Sequence, residues 1–446
     1  MKPSLILAVA GLAQLASSTP ILESRVFSAA MGNLMSLKLA HRASQRASGV
    51  FTEEHASLLA TTKCVNGKAS EYACSAIDMA SFLSHQALGS NTREGNDVWG
   101  WTSSTGREFG IVGQTDGVAF VEVKSDGSLT YLGRLPTQTA NSVWRDIKVI
   151  GDFAYIGSEA SRHGLQVFDM RKLLPLTAAK TFRTSTDLTA RYSGFGNSHN
   201  LVANEATKTI FAVGSNTCAG GLHMVDVSTP SAPRSAGCVS QDGYVHDAQC
   251  VVYTGVDTRY TGREICFNFN EDTLTIVDVT VRAAPVQLSR TSYGGVAYTH
   301  QGWLATSDMR YLLLDDELDE QSGSAGTRRT TTYVVDVGSL TAPRFTGKYL
   351  SPVNAIDHNQ YVVDGLSYQS NYGSGLRIVD VTSVASDPTG KGFKQVGFFD
   401  VNPGDDASTG QVQFVGSWSV YPYFKSGYLL LNSIERGIYS LKYTGA

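Results

Sequence analysis

A phrase of six residues recurs seven times along the chain, and no other feature limits the fold as tightly. Its clearest copy is Gly375-Leu376-Arg377-Ile378-Val379-Asp380. The others run Gly117 to Glu122, Gly164 to Asp169, Gly221 to Asp226, Thr273 to Asp278, Thr331 to Asp336 and Gly437 to Lys442. Each is a β-prone apolar run, usually opened by Gly and closed by a carboxylate, so each reads as a strand entered through a turn. Units of roughly 40 to 50 residues with several strands each indicate propeller blades. The expected fold is all-β, a seven-bladed β-propeller.

Within each unit the phrase is the third of four strands. Fourth strands often follow Pro, as in Ala232-Pro233-Arg234, Ala284-Pro285-Val286 and Ala342-Pro343-Arg344. Pro at the first residue of an edge strand sacrifices no ladder hydrogen bond. The last unit has strands at Trp418 to Tyr423, Tyr428 to Asn432 and Gly437 to Tyr443, and no residues remain for a fourth. The segment Ile77 to Leu88 is expected to supply it, joining the two ends of the chain in one blade and removing an exposed sheet edge. The closing carboxylates Glu122, Asp169, Asp226, Asp278, Asp336 and Asp380 are expected to hold turns through nearby backbone amides.

The propeller is assigned to residues 63–446. Ahead of it, Met1-Lys2-Pro3, an apolar run from Leu5 to Ala16 and Ser17-Ser18-Thr19-Pro20 read as a secretory signal peptide, residues 1–18. Residues 19–62, rich in Ala and Ser, read as an N-terminal arm or propeptide with some helical character. No later stretch approaches the ~18 apolar residues of a membrane helix, so a secreted, extracellular protein without a membrane span is expected. Six cysteines suit an oxidising compartment, and proximity suggests the pairs Cys64 with Cys74, Cys218 with Cys238 and Cys250 with Cys266. A net charge of −4 gives no basic field for nucleic acid.

Aligning the units on their third strands also aligns their first strands. The opening dipeptides are Asn96-Asp97, Arg145-Asp146, His199-Asn200, His246-Asp247, His300-Gln301, His358-Asn359 and Trp418-Ser419. Inner strands line a propeller's channel, and each second strand returns to the same mouth. That rim therefore also receives Glu159, Asn216, Asn270, Asp315-Asp316-Glu317, Asn371 and Glu435. Neutral imidazole is a common metal ligand, so His199, His246, His300 and His358 are candidate ligands for a divalent or transition metal of unassigned identity. Arg145, His246, His300 and Glu159 are candidate catalytic residues; Asn96, Asp316, Trp418 and Glu435 are candidate ligand-binding residues. The competing reading has the histidines bonding neighbouring blades and water in a polar channel. Asp315 to Glu320 reads as a solvated acidic loop, with Ca²⁺ binding as its alternative. Trp99, Trp101, Trp144, Trp303 and Trp418 fall near inner strands, as core or as aromatic walls for a sugar ring.

The repeated phrase resembles the LVIVD repeat. Trp144-Arg145-Asp146-Ile147-Lys148, Tyr244-Val245-His246-Asp247-Ala248-Gln249-Cys250, Asn270-Glu271-Asp272-Thr273-Leu274, Tyr298-Thr299-His300-Gln301-Gly302-Trp303 and Leu314-Asp315-Asp316-Glu317-Leu318-Asp319 resemble the choice-of-anchor B proteins. Bacterial relatives can carry a C-terminal surface anchor; this chain ends at Ala446 without one and is similar to the secreted fungal branch. The resemblance implies a β-propeller at or outside the cell surface. It implies no reaction.

Two classes of function follow. One is a metal-dependent enzyme acting on an extracellular polysaccharide, for example by β-elimination from a uronate. There Arg145 or a metal would neutralise the carboxylate and His246 or His300 would take the proton. A copper oxidase is a variant of it. The other is a propeller that binds a glycan, protein or polar small molecule without chemistry; a mainly structural wall or surface protein, tolerant of loss of all four histidines, is a third possibility.

Overall fold

Third strands of seven sheets, antiparallel except where Lys180–Thr181 adds in parallel to the first, are built from the repeated phrase: Gly117–Val123, Leu165–Asp169, Leu222–Asp226, Leu274–Asp278, Arg329–Asp336, Leu376–Asp380 and Gly437–Tyr443. The computed structural model describes residues 29–405 and 410–445, and the expected signal peptide lies outside them. The inner strands are Gly95–Thr102, Ile147–Ile150, Asn200–Asn204, Asp247–Val252, Thr299–Leu304, Asn359–Val363 and Ser417–Tyr421. Each neighbours the next, and the last lies against the first, so the sheets close into a seven-bladed propeller.

Closure comes from the strand expected to provide it. Ile77–Ser84 pairs antiparallel with Gly437–Tyr443, Ile77 opposite Tyr443 and Ser84 opposite Gly437. The segment before it, Tyr72–Ser75, pairs with Lys394–Phe399 and widens the sixth blade. The N-terminal part of the propeller thus grips two adjacent blades.

The phrase works because its apolar residues are buried on both faces of a blade. Phe120 of the first blade stacks on Phe168 of the second at 4.7 Å between centroids, within a cluster that includes Phe109, Ile156 and Phe182. Each such side chain contributes about 1.5–3 kcal/mol on burial. The opening Gly is required where φ is positive: Gly375 has φ +70°, and a Cβ there would lie 2.2 Å from the Phe399 carbonyl oxygen. The closing Asp accepts a hydrogen bond from the amide two residues on: Ser228 to Asp226, Thr280 to Asp278, Gly338 to Asp336 and Thr382 to Asp380. Glu122, one methylene longer, instead pairs with Arg107 and Lys124. The fourth strands Arg234–Val239, Val286–Thr291 and Arg344–Asn354 each begin directly after their Pro. All three disulfides join the cysteines paired by proximity.

A 19-residue helix, Ala29–Ala47, precedes the blades. Met31, Leu34, Lys38, Arg42 and Gln45 are buried, at the three- and four-residue spacing of one helical face. This face packs on Trp144, Tyr298, Tyr372 and Trp418, which surround one mouth of the channel. From Thr52 to Ala60 the connection back to the propeller is mostly exposed.

Candidate metal centre at the channel mouth

Circular symmetry gathers the aligned histidines into one arc. Ring centroids are 4.3 Å apart for His199 and His246, 4.1 Å for His246 and His300, and 4.5 Å for His300 and His358. Trp144 lies beyond His199 at 6.2 Å and Trp418 beyond His358 at 5.0 Å. All four imidazoles are buried.

Three of these rings are turned the same way by their Nδ1 atoms. Nδ1–H of His246 donates to the His300 carbonyl at 3.0 Å, and that of His358 to the Trp418 carbonyl at 2.6 Å. Nδ1–H of His300 donates to Asp315 Oδ1 at 3.2 Å, and Asp315 is itself held by the Gln301 amide and the Gln360 side chain. A backbone carbonyl can only accept, so His246 and His358 carry their protons outward and present Nε2 lone pairs to the centre; His300 does the same when Asp315 is ionised. Glu317 meets them there. Its Oε2 lies 3.8 Å from His300 Nε2, and its Oε1 lies 3.6 Å from His358 Nε2. Ligand atoms of His246, His300 and Glu317 all fall within 4.8 Å of one another. His246 Nε2, His300 Nε2 and Glu317 Oε2 are buried without a hydrogen-bond partner among the described residues. Two imidazoles and a carboxylate with idle inward lone pairs suit zinc, copper or iron better than a hard oxygen-seeking cation.

The helix closes this centre from above. Lys38 Nζ lies 2.5 Å from Glu317 Oε1, which also accepts from Tyr372 Oη–H at 2.7 Å. The ammonium sits 5.4–5.8 Å from the ring centroids of Phe414, Trp418 and Tyr372. Tyr372 holds an unusual φ of +33°, a strained conformation that its surroundings must impose. Burial alone would raise the Glu317 carboxyl; the Lys38 charge and hydrogen bond oppose it and hold the carboxyl below its ordinary range. Burial lowers Lys38 although Glu317 opposes it. Burial and the neighbouring rings hold His246 and His300 well below the usual imidazole range, and burial takes His358 down to about 3. The rings are neutral, as ligation requires.

The remaining candidates have other partners. Arg145 donates to the Gln114 and Thr115 carbonyls and Thr137 Oγ1, and its Nη1 lies 3.1 Å from His163 Nε2. Asp316 takes the Ala297, Tyr298 and Leu318 amides and the Tyr293 hydroxyl. Glu435 accepts from Gln45 and the Gly416 amide, with Arg42 at 3.6 Å. Asn96 donates to the Val143 carbonyl. Glu159 binds His199 Nδ1 at 3.0 Å and Asn197 at 3.0 Å, a carboxylate–imidazole pair beside His246. Trp418 forms part of the wall around Lys38. Sequence reasoning chose Asp316 over Glu317 and overlooked Lys38 and Tyr372 as site residues. Strand alternation carried the missing signal: Asp315 and Glu317 share one face and Asp316 the other. The run Asp315 to Glu320 is also no solvated loop, since Asp315, Asp316, Glu317, Asp319 and Glu320 are all buried.

Further along the inner strands the channel holds a cavity of about 170 Å³, lined by Trp99, Lys148, Gln249, Gln301, Trp303 and Tyr361 among others. Lys148 Nζ lies 4.7 Å from the Trp99 ring centroid. Trp99 and Trp303 are therefore channel walls, whereas Trp101 packs on Phe109 inside a blade.

No curated protein matches the chain. Among solved structures, the β-propeller domain of Myceliophteria thermophila Cps50 (Swd1) is similar at 14% identity and a TM-score of 0.46, covering 78% of this chain and 96% of that one. The family model of the LVIVD repeat matches residues 144–169 and 218–240. Both stretches lie in the blades, so the chain carries matches to the LVIVD repeat in its second and third blades.

Proposed function

We propose that the chain is a secreted, latent metal-dependent enzyme of the choice-of-anchor B type, working at the His-lined mouth on a polar extracellular substrate. The observation that carries this reading is the convergence of unpartnered His246 Nε2, His300 Nε2 and Glu317 Oε2. A metal ion bound there would supply Lewis acidity toward a substrate carboxylate or carbonyl, as in β-elimination from a uronate. His246, His300 and Glu317 would hold it, with His358 beside them, and Asp315 would orient His300. His199, positioned by Glu159, is the group suited to move a proton. Arg145 serves the blade junction in this reading and touches no substrate.

Residues 29–47 act as the cover, part of a propeptide spanning 19–62. Lys38 supplies a positive charge at Glu317 and thereby stands where a metal's charge would act. Removal of the helix, by cleavage in the exposed 52–60 connection, opens the mouth. The test is elemental analysis and Zn²⁺ and Cu²⁺ titration of protein purified without a chelating column, before and after cleavage, followed by screening on uronic-acid polymers. One equivalent of metal after cleavage, lost in His246→Ala and His300→Ala, is expected. No metal in either form overturns the reading.

The channel cavity favours a second reading, carbohydrate binding without chemistry, because Trp99, Trp303 and Tyr361 offer stacking faces beside Gln249 and Gln301. Glycan binding abolished by Trp303→Ala and unchanged by His300→Ala would select it.

A further inference from the structure

A second group of ligating side chains lies behind the His arc, and the metal reading above makes no use of it. Asp319 and Glu320 follow Glu317 in the fifth blade, and Asp357 precedes His358 at the entry to the sixth. One carboxylate oxygen from each of the three falls within 4.8 Å of the others. None is at the surface: Asp319 and Glu320 are 0% exposed and Asp357 is 4% exposed.

Their hydrogen bonds follow a pattern. Asp319 Oδ2 accepts from the Tyr333 hydroxyl at 2.7 Å, and Glu320 Oε1 accepts from the Thr331 amide at 3.1 Å. Each carboxylate is thus anchored by one oxygen. The others, Asp319 Oδ1 and Glu320 Oε2, are buried and receive no donor from any other group among the described residues, although the two carboxyls lie close enough to share a proton with each other. Asp357 comes from a different segment, and neither of its buried oxygens has a partner. Lys348, the basic group whose charge reaches Asp319, gives its ammonium to the Ala325 carbonyl at 2.9 Å. Buried carboxylates without donors are costly, because each idle oxygen forfeits its solvation. A cation, or shared protons, must compensate.

We infer that Asp319, Glu320 and Asp357 form a binding site for a hard divalent cation of the Ca²⁺ class. An all-oxygen set of three carboxylates matches Ca²⁺ and differs in kind from the imidazole-rich centre nearby. Occupancy ties the segment carrying Glu317 to the segment carrying His358, so the ion fixes the spacing of two residues at the channel mouth. The site stands whether or not the His centre takes a metal.

Tb³⁺, which substitutes for Ca²⁺, is the probe, because Tyr333 hydrogen-bonds Asp319 directly and can sensitise its luminescence. Full-length protein stripped with EDTA should bind Tb³⁺ saturably with tyrosine-excited emission, displaced by excess Ca²⁺, and Ca²⁺ should raise its Tm. Asp357→Asn should weaken Tb³⁺ binding at least tenfold and abolish the Ca²⁺ shift in Tm. It removes one of three crowded carboxylates, so its metal-free form should fold; Glu320→Gln is the second variant, read the same way. His246→Ala with His300→Ala should leave Tb³⁺ binding unchanged. No saturable emission, or equal emission from wild type, Asp357→Asn and Glu320→Gln, overturns the assignment and leaves shared protons as the compensation.

Discussion

Glu317 illustrates how much one side chain can be asked to do. It receives Lys38 and Tyr372 on Oε1, which also faces His358, and turns Oε2 toward His300. Replacing one member of a buried ion pair leaves the other charge stranded, at about 3–5 kcal/mol. Glu317→Gln should therefore lower unfolding free energy by about that amount in denaturant titration, and Lys38→Met in the same chain should restore most of it. A double variant no more stable than Glu317→Gln would show that the pair is not coupled. His163 gives a pH test. Burial, and then the Arg145 guanidinium, lower its pKa from 6.5 to about 3. The unfolded chain takes up that proton near pH 6.5 and the folded chain only near 3. The neutral ring thus contributes fully above pH 6.5, and its contribution is lost as pH falls toward 3, by about 1.4 kcal/mol per unit. His163→Gln should show a flatter fall in Tm between pH 6.5 and 4 than wild type. At this scale the sequence was partly legible. The four histidines could be aligned because they share a register position, but the Gln114, Thr115 and Thr137 partners of Arg145 come from the first blade and leave no trace in local spacing.

Strands and turns were more open to reading than the helix. Pro before the outer strands, Gly before the third and Asp after it each solve a local backbone problem, so each can be recognised locally. The docking of Ala29–Ala47 is different, because its buried face mixes Met31 and Leu34 with Lys38, Arg42 and Gln45. Cationic residues on a helix normally mark its wet side; here Glu317, Glu435 and Glu94 receive Lys38, Arg42 and Arg46. Limited proteolysis is expected to cut first in the exposed 52–60 connection, with mass spectrometry identifying the site. High salt should then promote release of the cut helix, since the pair between half-exposed Arg46 and Glu94 is screened. First cleavage within a blade would contradict this order of exposure.

For the whole molecule, the number of repeats sets the number of blades, and the shortage of one strand in the last unit sets how the ring is locked. That much was readable because symmetry multiplies a weak signal seven times. The acidic group at Asp319, Glu320 and Asp357 was not, since it joins neighbouring blades and only the closed ring brings them together. Deleting Ile77–Ser84 should leave Gly437–Tyr443 with an unpaired edge and convert a monodisperse protein into self-associating material on size-exclusion chromatography. A monomer of unchanged Tm would show that the lock is dispensable. The same lock has a consequence for synthesis. Ile77–Ser84 leaves the ribosome about 350 residues ahead of its partner Gly437–Tyr443. Over that interval the strand waits without Gly437–Tyr443, and a chain that stops short of residue 437 never completes the circle.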